Sequence, residues 1–145
     1  MGTLDRTIFY KLEQAIRTYR QFAQREIRKA GFAITIDQWL LLTTINEKPG
    51  VPQIEIADAV FKDNASVTRI IELLVKAGYL KRKTNAGDRR RSTLAVTRSG
   101  DAIIEKVGQV VRQNRKNALR GIDRKKLATA DNFFAMVTEN CKKQP

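Results

Sequence analysis

Apolar residues recur at three- and four-residue spacing over Leu4, Ile8, Leu12, Ala15, Ile16, Tyr19, Ala23 and Ile27. That period predicts one long amphipathic helix, stopping at Ala30-Gly31, where glycine suits a helix end. A stripe of this length in a small domain calls for a second chain to cover it. Thr35-Ile36-Asp37-Gln38 has the form of a capping box, with Thr35 as N-cap and Gln38 reaching back. A second helix follows through Trp39, Leu42 and Ile45 and stops before Pro49-Gly50. Pro52 opens a third, short helix carrying Ile54, Ile56, Ala57 and Val60.

Asp63 is placed to cap the next helix, whose buried face is Val67, Ile70, Ile71 and Leu74. Lys76-Ala77-Gly78 ends it with a cation and a glycine. The period then changes. Tyr79 to Lys83 and Ser92 to Val96 alternate as short strands, and Asn85-Ala86-Gly87-Asp88 between them is turn chemistry. Thr97 caps a long helix through Ile103, Val107, Val110, Val111, Ala118 and Leu119, with a break expected at Gly121. A last helix carries Leu127, Ala130, Phe133, Phe134 and Val137. The fold class expected is mainly α with a small β component (α+β). A short helix, a tight link and a second helix form a helix-turn-helix, and the appended hairpin makes it winged.

Composition narrows the chemistry. The chain has 145 residues, enough for one domain with its own core, and a second independent domain is not expected. Without histidine and with one cysteine, Ser-His-Asp and Cys-His catalysis and a structural zinc site are disfavoured. No GxxxxGK[ST] or GxGxxG pattern occurs. Carboxylates are scattered among Lys and Arg, so no enzyme is expected, and no cofactor or metal. No internal disulfide can form, and a cytoplasmic setting is the default. No apolar run approaches eighteen residues, and MGTLDRT lacks a basic n-region before an apolar stretch. Neither a membrane span nor a signal peptide is therefore expected.

The net charge is +13, with a sequence pI of about 10.3. Residues 1–60 hold eight Lys/Arg against seven Asp/Glu, so the excess lies in the second part of the chain. A field of this sign points to a polyanion, nucleic acid before an anionic membrane surface. Six cations and one anion fall between Lys81 and Arg91. Taken alone, such a run in a turn is a solvated loop. On a winged scaffold it becomes a contact surface, because phosphates relieve the repulsion and counterion release supplies affinity.

A major groove admits one helix, which reads base edges with its N-terminal side chains. Ala65, Ser66, Thr68 and Arg69 sit in the first turns and are expected to face outward, with Asn64 beside them. Lys81, Lys83, Arg89, Arg90 and Arg91 would bring the hairpin tip to the neighbouring minor groove, where narrow walls concentrate negative potential. Asp88, two residues before Arg90, can hydrogen-bond a guanidinium and aim it.

These residues resemble the MarR family of winged-helix regulators. Asp88-x-Arg90, then Val96-Thr97 and Gly100, is similar to that family's wing signature DxRxxxxxLTxxG. DQWLLLTTINEKPGVPQIEIADAV resembles the second and third helices, and ASVTRIIELLVKAGYLKR the recognition helix and first strand. The resemblance implies a winged helix-turn-helix module over residues 35–97, with residues 1–34 and 98–145 forming a dimerisation bundle. It implies a homodimer bound to a pseudo-palindromic double-stranded DNA, acting as a repressor of transcription. Asp88 and Arg90 would be the wing-tip pair, and Ser66, Thr68 and Arg69 the DNA-facing side. Pro52 stands where members often have a Ser or Thr cap, and Arg91 where a small residue is usual.

The resemblance also implies control by a small aromatic or phenolic effector, or by cysteine oxidation. Tyr19, Phe32, Trp39 and Phe61 are the candidates to line an effector pocket, against the plainer reading that they are core. Cys141 lies in the terminal segment, where a thiol is more often incidental than a sensor. Residues 106–126 carry eight cations and one aspartate, read as a solvated helix face, with extra phosphate contact or an acidic protein partner as the second reading. Two rivals share the scaffold: a non-specific architectural DNA- or RNA-binding winged-helix protein, and a winged-helix protein–protein adaptor.

Overall fold

The computed structural model describes residues 2–85 and 87–143, less the side chains of Leu4, Asp5, Asn85 and residues 88–92. The chain divides into two compact units, Met1–Asn114 and Arg115–Pro145. The first begins with a 3₁₀ turn, Thr3–Arg6, and then helix α1, Ile8–Lys29. The single stripe expected from Leu4 onward is thus divided at Thr7, whose backbone is extended (ψ 141°). Threonine suits a helix entrance better than a helix interior, because χ1 stiffness disfavours it inside. Along α1 only Ala23 and Ile27 are buried, while Ile8, Phe9, Tyr10 and Ile16 are exposed.

Helix α2, Ile36–Glu47, starts on the expected capping box. Thr35 Oγ1 accepts from the Gln38 N–H at 3.1 Å, and Gln38 Oε1 accepts from the Thr35 N–H at 3.0 Å. Leu41, Leu42 and Ile45 of α2 are fully or nearly buried. Helix α3, Gln53–Ala59, buries Ile56 and Ala57, and helix α4, Asn64–Lys76, buries Val67, Ile71 and Leu74. These residues form one core with Ile27, Ile34, Trp39, Val60, Leu80, Val107 and Val111.

Strands β1, Leu80–Asn85, and β2, Asp88–Val96, form an antiparallel hairpin with Leu80 opposite Val96 and Thr84 opposite Ser92. Both strands run further toward the tip than the alternation predicts. The register then jumps to Asn85 opposite Asp88, which puts Arg89, Arg90 and Arg91 in an irregular stretch of β2. Charged residues carry no period-two signal, so the alternation stopped short of them. Leu94 and Val96 pack against the core and anchor the hairpin base.

Helix α5, Arg98–Ala118, packs on this unit through Val107, Gly108 and Val111. Asn114 is 98% buried and donates through Nδ2 to the Ala23 carbonyl at 3.3 Å, tying α5 to α1. In the second unit, Asp123 caps helix α6, Arg124–Lys143, by accepting from the Lys126 N–H at 2.8 Å. No residue of α6 is buried, and Leu127, Phe133, Phe134 and Met136 are exposed.

Candidate nucleic-acid interface

The entrance of α4 is set by Asp63, whose Oδ1 accepts from the Ser66 N–H at 2.7 Å. That bond, with a second from the Ser66 hydroxyl, holds the Asp63 carboxyl below its ordinary range. It stays ionised at neutral pH, where the positive end of the helix balances it. Asn64, Ala65 and Arg69 are exposed, and Ser66 and Thr68 are half-buried, so all five reach the surface of the first turns. Their roles differ. The Thr68 hydroxyl donates to the Asn64 carbonyl at 2.9 Å, which commits its only proton. It can accept a hydrogen bond from a partner but cannot donate one.

Gln53 is a residue that periodicity and charge did not single out. It opens α3, is half-buried, and donates from Nε2 to Asn64 Oδ1 at 2.9 Å and to Thr68 Oγ1 at 2.8 Å. An uncharged side chain in a short helix carries no charge or periodic signal, so only the three-dimensional approach of α3 to α4 reveals it.

The far end of α4 is joined to the hairpin and to α5. Gly78 adopts φ +84°, the left-handed turn that lets the Tyr79 N–H reach the Leu74 carbonyl at 2.9 Å. Its own carbonyl accepts from the Thr97 hydroxyl at 2.6 Å and the Ser99 hydroxyl at 2.8 Å. Thr97 Oγ1 also caps α5, accepting from the Gly100 N–H at 3.1 Å. The end of helix α4, the hairpin base and the start of α5 are therefore joined at one carbonyl.

On the hairpin, Lys81, Arg82 and Lys83 are all exposed, and successive residues project to opposite faces. The side chains of Asp88, Arg89, Arg90 and Arg91 lie outside the described residues, and with them the pairing expected between Asp88 and Arg90.

Beside α4 lies an open cleft of about 320 Å³ whose walls include Thr35, Asp37, Lys62 and Arg69. Asp37 bridges two cations, Arg20 at 3.0 Å and Lys62 at 3.1 Å. Partial burial would raise its pKa, but Lys62 and Arg20 outweigh that and hold it below 3.8. The charge of Lys62 is thereby engaged, while Arg69 is in no ion pair among the described residues.

The four aromatic candidates are not gathered round this cleft. Trp39 is buried in the core and donates from Nε1 to the Ile104 carbonyl at 3.1 Å. Phe32 packs half-buried against the same core, and Tyr19 is half-buried on α1. Phe61 is 92% exposed. It ends α3 at φ +59°, with the Lys62 N–H bonded back to the Ala57 carbonyl at 3.0 Å, and this left-handed turn carries the ring outward. Cys141 is exposed. Among the described residues no cluster of His, Cys, Asp or Glu could hold a metal, and no helix is long and apolar enough to cross a membrane.

A short helix, a tight turn, an outward-facing second helix and a cationic hairpin define a winged helix-turn-helix protein. The model of the MarR family matches residues 34–92, from the capping box into β2. A probable transcriptional regulator from Pseudomonas aeruginosa has a similar structure, with a TM-score of 0.80 and 25% identity, covering 92% of this chain and 98% of that one. Bordetella bronchiseptica BpsR, solved to explain regulation of its DNA binding by 6-hydroxynicotinic acid, gives a TM-score of 0.83 at 17% identity, covering 95% and 97%. Wild-type apo MarR from E. coli gives 0.72 at 20% identity, covering 90% and 96%. Residues 34–92 thus match the MarR family model, and the chain shares the fold of these transcriptional regulators.

Proposed function

We propose that this protein is a sequence-specific DNA-binding transcriptional repressor, acting in the cytoplasm as a homodimer on a pseudo-palindromic duplex. The observation that carries this reading is the clasp at Gly78. It ties the helix presenting Asn64, Ser66 and Arg69 to the hairpin presenting Lys81 and Lys83, so one duplex can meet both. The helix would enter a major groove and the hairpin tip the adjacent minor groove. Phosphate contacts from the hairpin supply affinity, and the helix supplies specificity.

Dimerisation is supported by the apolar side chains that α1 and α6 leave uncovered, Phe9, Ile16, Phe134 and Met136 among them. Exposed apolar surface of this kind marks an interface. A twofold dimer would place two recognition helices about 34 Å apart, one turn of B-DNA. Release by a small aromatic acid belongs to the same proposal. It is supported by the likeness to BpsR and by a cleft that offers Arg69 beside α4.

The test is selection of bound sequences from a random duplex pool, with sedimentation at micromolar concentration. The expected result is an inverted repeat bound by a dimer, preferred over random DNA by about a thousandfold or more. A pool that stays random, with binding set by salt alone, would return the non-specific architectural reading.

A further inference from the structure

The contact between α3 and α4 decides which end of an amide faces outward. Gln53 Nε2 donates to Asn64 Oδ1 at 2.9 Å and to Thr68 Oγ1 at 2.8 Å. Thr68 has already given its proton to the Asn64 carbonyl, at 2.9 Å, so its oxygen faces Gln53 as an acceptor. An acceptor there requires the NH₂ end of Gln53, which settles the orientation of that amide. Gln53 then holds Asn64 by its oxygen. In a planar carboxamide the NH₂ group lies on the other side, so the clamp leaves Asn64 Nδ2 as the end free to meet a partner. Asn64 is exposed at the first position of α4.

We propose that Gln53 is a specificity-determining residue, acting through Asn64 and resting on the DNA-binding reading above. Asparagine that reads adenine uses both ends of its amide, donating to N7 and accepting from N6–H. Here the oxygen is engaged and the nitrogen is presented. Asn64 is therefore presented as a donor to groove-edge acceptors, guanine N7/O6, thymine O4 or adenine N7, and disfavours cytosine, whose edge offers only an amino donor, on the strand it meets. Gln53 need touch no base to do this.

The experiment repeats the random-pool selection with wild type, Asn64→Ala, Gln53→Met and Gln53→Glu. Asn64→Ala locates the base pair that Asn64 reads, as the one position in each half-site where preference disappears. Gln53→Met keeps the length of the side chain but removes both donors, and the preference at that base pair should fall roughly fivefold or more while the others persist. Gln53→Glu offers only acceptors, so Asn64 turns round, presents Oδ1, and the base pair preferred there should change in identity or orientation from that of wild type. Melting curves within a few degrees of wild type exclude misfolding, and the two Gln53 variants check each other.

A Gln53→Glu profile identical to wild type at that position would overturn the proposal. So would a Gln53→Met profile identical to wild type at that position, or an Asn64→Ala profile with no change anywhere. A wild-type pool with no preferred sequence is a different result, because it removes the DNA-binding reading itself.

Discussion

Gly100, in the first turn of α5, lies against the backbone carbonyl of Tyr79, at the start of the hairpin. A Cβ at Gly100 would overlap that carbonyl oxygen and come within 2.7 Å of Val96 Cγ1. Tyr79 is also the residue whose carbonyl accepts from the Thr97 N–H at 3.1 Å, so the contact is backbone against backbone and cannot relax by turning a side chain. The glycine sets how closely α5 approaches the base of the wing.

Gly100→Ala should therefore destabilise the protein. In an open helix the change adds up to about 1 kcal/mol of stability, because alanine loses less entropy. Overpacking at a rigid contact costs about 1–3 kcal/mol, and it should exceed that gain here. Urea unfolding is expected to show a lower midpoint with an unchanged slope. A higher midpoint would mean that α5 can slide away from Tyr79 at little cost.

Phe61→Gly should do the reverse. A β-branched or bulky side chain is disfavoured at positive φ by roughly 1 kcal/mol, and Phe61 sits at φ +59°. Its ring is 92% exposed, so little packing is lost when it goes. Glycine restores the usual left-handed helix end at some entropic cost in the unfolded chain. The melting temperature should rise by a few degrees. A fall would show that the ring has a partner in the folded protein in solution.

Asp37 gives the protein an acid-sensitive joint between α1, α2 and the link before α4, through Arg20 and Lys62. Its pKa is lowered from 3.8 in the folded state, against the pull of partial burial, by Lys62 and Arg20. A lowered folded pKa means that the unfolded chain takes up its proton first. The stabilisation is present above about pH 4 and is lost as pH falls below it. Unfolding midpoints measured from pH 7 to pH 3 should show Asp37→Asn less stable than wild type at pH 7, with the two converging at the acid end. Parallel curves would mean that the joint contributes nothing through charge.

Much of this architecture was legible in the residues because it rests on local chemistry. The capping box Thr35–Gln38 and the Asp63 cap involve residues three apart, where spacing alone determines contact. Trp39 and the α4 stripe were legible because a buried helix face repeats. The clamp from Gln53 to Asn64 and Thr68 spans 11 and 15 residues and joins neutral side chains, so nothing periodic announced it. Buried Asn114 was equally silent, since an asparagine on a basic helix reads as surface until its bond to Ala23 is seen. The exposure of Phe61 depended on a positive φ at a position with no glycine to signal it. Gly100 was visible as part of a motif, but the reason for it, the nearness of Tyr79, required the packed structure.

Arg90→Ala tests the wing as a DNA contact, given the proposed function. Each phosphate neutralised by a cation lowers the slope of log K against log salt by about 0.9. If Arg90 touches a phosphate, its loss should weaken binding to selected and random duplexes alike, and the slope should flatten by about one contact. If it enters the minor groove, the selected duplex should lose more than the random one, because groove width depends on sequence. Titrations at several salt concentrations, on both duplexes, separate the two cases. An unchanged affinity and slope on both would place Arg90 outside the interface and leave Lys81, Lys83 and the first turns of α4 to hold the duplex.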